Sequence, residues 1–142
     1  MRTGAEQLDH AEQYREDGYT IVRGVFSPEE MLEMSAEIDR IYATGLGQPT
    51  TWRCQNVYFE VIDDPKAGHI VLQAHWVSWL SPALDRFRRD PRYFRLLEPL
   101  LGRDIRQSAN QIHWKPPGAQ MSAFRFHQDY RFLTQRMSPN SI

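Results

Sequence analysis

Cysteine is almost absent from this chain: Cys54 is the only one. An intrachain disulfide and a cysteine-based zinc site are therefore excluded, and a reducing compartment, by default the cytoplasm, is the expected location. No apolar run approaches the length needed to cross a bilayer, and residues 1–7 lack the apolar core of a signal peptide. Neither sign of charge is in excess. The formal net charge of -1 gives no global reason to expect nucleic acid or an anionic membrane surface as a partner. Internal repeats and low-complexity segments are also missing.

What remains is ordinary globular material. The 142 residues, 41% hydrophobic and 25% charged, suit one domain with a moderate core and argue against disorder. Residues 5–16 predict a helix stopped by Gly18, and residues 19–22, β-branched and aromatic, suit a short strand. Ser27-Pro28-Glu29-Glu30 is a strong helix start, with Ser27 as N-cap and Glu30 closing a capping box. Met31, Met34, Ile38, Ile41 and Tyr42 form its apolar stripe, and Gly45 is expected to end it. Residues 55–62 alternate as a strand with Val57, Phe59 and Val61 on one face, and residues 63–68 read as a turn. Ser81-Pro82 and Asp90-Pro91 announce two more helices, the second ending at Gly102. A long strand is expected near residues 105–115, then a Pro116-Pro117-Gly118 loop, then a second strand over residues 123–130. The order suggests an α+β arrangement in a single unit, residues 1–102 forming a mainly helical preface and residues 103–142 the later strands.

The chemistry lies in that last strand. In an extended chain, residues two apart project to one side, so His127 and Asp129 of Phe126-His127-Gln128-Asp129-Tyr130 point at one spot. An imidazole and a carboxylate together supply two of the three ligands of the 2-His-1-carboxylate triad that holds Fe(II) with open positions. A bare His-x-Asp also arises by chance, as a surface histidine beside a solvated aspartate. Its context is more telling: Phe124, Phe126 and Tyr130 add aromatic bulk able to exclude water from a metal. Lys115, on the preceding expected strand, offers a cation for a carboxylate-bearing cosubstrate. The triad's third ligand should be a histidine far downstream, and no histidine follows Asp129 in this sequence. The expectation is that the chain carries part of the site.

His113-Trp114-Lys115-Pro116-Pro117-Gly118, followed by Phe126-His127-Gln128-Asp129-Tyr130, resembles the phytanoyl-CoA dioxygenase family. Asp17-Gly18-Tyr19 with residues 22–30, and residues 97–102, are similar to that family's N-terminal signature and to its helix ending in Leu-Gly. The resemblance covers nearly the whole chain. It implies a double-stranded β-helix (jelly-roll), incomplete in this chain, with N-terminal helices packed on its first strands. It also implies Fe(II) and 2-oxoglutarate chemistry that hydroxylates a small organic substrate. On this resemblance His127 and Asp129 are the iron ligands and Lys115 a cosubstrate contact. Gln111 and Trp114 are neighbouring residues of the 2-oxoglutarate pocket. The family's distal histidine and its cosubstrate-pairing arginine have no counterpart here, so the chain alone is expected to be inactive. Its open strand edges are expected to self-associate or to be completed by a partner chain.

Two other classes stay open: a non-catalytic interaction module, and a jelly-roll metalloenzyme that uses no 2-oxoglutarate. Among the remaining residues, His113 is a rival ligand because it shares strand parity with Lys115, although packing beside Trp114 serves equally well. His10, His69 and His75 lack partners at metal spacing and read as solvated or core. Arg86, Arg88, Arg89, Arg92 and Arg95 suit either an anionic, CoA-linked substrate or, preferably, a helix face balanced by Asp85, Asp90 and Glu98. Trp76, Trp79 and Leu80 read as core rather than as a substrate entrance. Cys54 has no neighbour that would activate it.

Overall fold

Capping chemistry sets the helices. A computed structural model describes residues 4–124 together with Phe126 and His127. Helix α1 (Gly4–Asp17) stops at Gly18, whose φ of 77° is a conformation that glycine adopts without strain. In α2 (Pro28–Gly45) the Ser27 hydroxyl accepts the Glu30 N–H while the Glu30 carboxylate accepts the Ser27 N–H, the reciprocal box expected from the sequence. Ser81 caps α3 (Pro82–Arg88), and Asp90 caps α4 (Pro91–Leu101), which ends at Gly102 with φ 82°.

Four strands form one open antiparallel sheet among the described residues, in the order β1 (Trp52–Cys54), β2 (Val57–Asp64), β3 (Gly68–His75) and β4 (Gln111–His113). Val57, Phe59 and Val61 all face inward, as their alternation predicts, and meet Val71 and Ala74 of β3 and Met34 and Ile41 of α2. Gly45 is where helix and sheet come closest. A Cβ there would lie 2.7 Å from the Val71 side chain and 2.8 Å from the Phe59 ring. Its role is therefore close approach, and Leu46 takes the C-cap. The Trp52 indole N–H closes the same corner by donating to the Gly45 carbonyl at 2.9 Å while its ring stacks on Phe59.

Several expectations fail for tertiary reasons. Residues 19–22 are not a strand: no neighbouring strand offers them hydrogen bonds, and Ile21 is 64% exposed. Met31 lies on α2 but is half-exposed, so the core stripe starts at Met34. Beside the strand expected over residues 55–62, β1 and β3 also lie between Trp52 and His75, so the stretch ahead of residue 103 carries three strands as well as helices. The long strand over residues 105–115 shrinks to Gln111–His113, because only Gln73–His75 offer it a partner. Just beyond, Trp76 adopts a left-handed conformation and turns the chain away, its N–H meeting the Asn110 carbonyl. Trp76 and Trp79 end up exposed rather than in the core. The predicted strand over residues 123–130 is not formed at Ala123, Phe124, Phe126 or His127; its remaining residues lie outside those described.

Candidate metal and cosubstrate site

The strand register divides the sheet chemically. Phe59, Ala74 and Ile112 form one cross-strand row on the core face. The opposite face carries the row Tyr58, His75 and Gln111 and the row Glu60, Gln73 and His113. Such a face, polar on three adjacent strands and backed by a packed core, is the polar side that an antiparallel sheet commonly turns away from its core. The Gln73 side-chain amide donates to the Glu60 carboxylate across it. Tyr58 sets its ring edge-on to His75 at 5.6 Å, and His75 lies 6.5 Å from His113.

This is the face to which the motif segment returns. After β4 the chain turns at Pro117–Gly118, with Gly118 at φ 81°. Phe124 then packs edge-on against His113 with ring centroids 4.8 Å apart, and the His127 ring lies 6.5 Å beyond Phe124. The Lys115 ammonium sits 5.1 Å over the same Phe124 ring. His127, Lys115 and His113 are thus gathered around one phenylalanine. Burial, more than the nearby Lys115 charge, pushes the His113 imidazole below the usual histidine range, although Glu60 opposes the shift. The buried His113 Nδ1 has no hydrogen-bond partner among the described residues.

The other expected residues divide. Trp114 lies on the core side, packed on Tyr42 at 5.3 Å, while Gln111 is exposed at the outer edge of the sheet. Asp129 lies outside the described residues, and among the described ones no group of three His, Cys, Asp or Glu side chains is placed to hold a metal. His10 is buried and bonds the Leu96 carbonyl through Nε2, and His69 pairs with Asp63. Cys54 is half-buried against the core. The arginine cluster is largely neutralised locally. Arg88 and Arg89 pair with Asp85, Arg86 with Glu33, and Arg92 with Asp90 and Glu30. Two clefts of about 530 and 510 Å³ lie beside α4, both lined by Tyr93 and Leu97 and neither by the residues of the polar rows.

Sequence reasoning missed Asp64, reading it only as part of a turn. Its buried carboxylate accepts four backbone N–H groups: Lys66 and Ala67 at 2.9 Å each, Gln120 at 2.7 Å and Met121 at 2.8 Å. The first two bonds belong to the turn that the composition of residues 63–68 suggests; nothing local points to the last two. These bonds hold its carboxyl down at about 2, and the Arg92 contacts hold that of Asp90 at about 2. Unfolded aspartates take up protons near 3.9, so the unfolded chain is protonated first as the pH falls. The stability contributed by both groups is complete above about pH 5 and is lost progressively between about pH 5 and pH 1. Urea midpoints measured at about pH 6, 5 and 2.5 are expected to stay nearly level over the first interval and drop over the second.

Residues 14–142 match the family model described as Phytanoyl-CoA dioxygenase (PhyH). The chain belongs to this family. It is 29% identical over 126 residues to the ectoine dioxygenases of Bordetella parapertussis and Bordetella bronchiseptica, covering 89% of this chain and 38% of theirs. To the ectoine dioxygenase of Nocardia farcinica it is 27% identical over 129 residues, covering 85% of this chain and 38% of that relative. The chain therefore spans 38% of the length of these curated relatives. No solved structure matches it significantly. No described helix is long and apolar enough to cross a membrane.

Proposed function

We propose that this member of the phytanoyl-CoA dioxygenase family supplies metal- and cosubstrate-binding residues of an Fe(II)- and 2-oxoglutarate-dependent dioxygenase that hydroxylates a small organic substrate. The carrying observation is the return of His127 to the polar sheet face beside Lys115 and His113, through their shared contact with Phe124. The donor set fits the metal: an imidazole and a carboxylate two residues apart suit Fe(II). His127 and Asp129 would hold the iron, and the bound group would supply oxygen activation coupled to conversion of 2-oxoglutarate to succinate. The chain's own residues bind and exclude. Lys115 offers a positive charge for a cosubstrate carboxylate, Phe124 gathers His113, Lys115 and His127 by ring contacts, and Gln111 offers an amide at the rim. Trp114 supports this strand from the core side.

The four strands would be the opening part of a jelly-roll whose further strands cover the polar face, supplied by additional sequence, a partner chain or a second copy. The paired arginines speak against recognition of a CoA-linked substrate by that cluster, and ectoine dioxygenase relatives favour a small polar one. A reducing compartment such as the cytoplasm suits the lone Cys54.

Linked binding tests the cosubstrate half of this reading. 2-Oxoglutarate is expected to tighten Mn(II) binding by about tenfold, and Mn(II) to tighten 2-oxoglutarate binding by the same factor. Lys115→Ala should erase most of that coupling while leaving Mn(II) affinity alone unchanged. Mn(II) binding that ignores 2-oxoglutarate would favour a metalloenzyme of another type.

A further inference from the structure

We propose that Asp64 is a positioning residue for the metal-binding segment, its carboxylate fastening the chain ahead of His127 to the end of β2. The proposal rests on the reading of His127 as a metal ligand. Its ground is the division of labour between the two oxygens. Oδ1 accepts the Lys66 and Ala67 N–H groups and closes the turn between β2 and β3. Oδ2 accepts the Gln120 and Met121 N–H groups, 56 and 57 positions away in the chain. An aspartate that only shaped a turn would need the first pair alone and would stand in solvent. Asp64 is instead 3% exposed, and Ser122, beside the second pair, is 5% exposed.

The bonds fall where they matter for the site. Met121 stands six positions before His127. The stretch between β4 and His127 leaves the sheet at His113, is tied down at Gln120 and Met121, and touches down again where Phe124 meets His113. Each anchorage removes backbone freedom that metal binding would otherwise have to remove, so affinity rises without Asp64 approaching the metal. The carboxylate also stays ionised throughout the ordinary pH range, which keeps four charge-assisted bonds in place.

Asp64→Asn separates the two duties. An asparagine oxygen can still accept the Lys66 and Ala67 N–H groups, but its amide nitrogen then faces the Gln120 and Met121 donors and cannot accept from them. Amide hydrogen exchange and Mn(II) titration of the same protein read the result, with His127→Ala as the reference for the metal site. In Asp64→Asn, exchange at Gln120 and Met121 is expected to accelerate about a hundredfold while β2 and β3 keep their protection. Mn(II) affinity should fall about tenfold, the size of effect seen when a residue supporting a ligand is lost. Unchanged Mn(II) affinity in Asp64→Asn, with binding lost in His127→Ala, would overturn the positioning role and leave the metal site standing. Equal Mn(II) binding by wild type and His127→Ala would overturn both. General loss of protection across β2 and β3 in Asp64→Asn would show that Asp64 serves the sheet and not the segment.

Discussion

His127→Ala is expected to lower Mn(II) affinity on the order of a hundredfold or more, and Asp129→Ala to do the same. Losing a ligand removes a metal bond outright, whereas losing a supporting residue such as Asp64 only loosens the geometry, so the ligand variants should show the larger deficit. Wild-type binding itself should be modest, because these two ligands leave the other coordination positions to water or to cosubstrate. Isothermal titration or the paramagnetic signal of Mn(II) gives the comparison directly, with circular dichroism to confirm an unchanged fold. The exposed position of His127 makes its removal harmless to the core. Undiminished binding in a His127→Ala, Asp129→Ala double variant would remove the motif from consideration and return attention to His113.

Phe59→Ala should cost about 3–5 kcal/mol, a large part of the stability of a domain this size. Its ring has no exposed surface, stacks on Trp52 at 5.1 Å, and fills the space that Gly45 leaves between α2 and the sheet. Deleting it opens a cavity under β1, β2 and β3 at once, and rigid neighbours such as Val71 cannot collapse into it. With a urea slope of about 1–3 kcal/mol/M, the unfolding midpoint should fall by more than about 1 M. The polar face rests on this core, so the effect should reach Mn(II) binding through the unfolded fraction. A midpoint within about 0.3 M of wild type would mean that helix and sheet are not held together through Phe59.

Local chemistry is what the sequence states most clearly. Ser27, Ser81 and Asp90 announce the helix starts because a cap is a bond between near neighbours, and the alternation of Val57, Phe59 and Val61 announces a face because a strand has period two. Asp85 and Asp90 balance the arginines locally as expected, whereas Glu98 pairs with Arg103, and Glu33 and Glu30 reach Arg86 and Arg92 from α2. Glycine was more ambiguous. Gly18 and Gly102 follow helix ends and Gly45 is the last residue of α2, but Gly45 is also a contact point, since its neighbours Val71 and Phe59 come from the sheet. The strand signal near residues 105–115 overstated what forms, because a strand exists only as far as a partner accompanies it and β3 ends at His75.

Residue order alone supplies the chemical groups, the His127-x-Asp129 pair with Lys115 upstream, and the family to which they point. Those are matters of residue type and spacing along the chain. Which of them meet depends on the folded arrangement. It put Trp114 into the core and His113 on the other face, it gathered His113, Lys115 and His127 around Phe124, and it made Asp64 a tie between a turn and a segment 56 positions away. Side-chain parity and long-range backbone bonds depend on which strands pair and where each pairing stops, and pairing is settled by the packing of the whole sheet against α2.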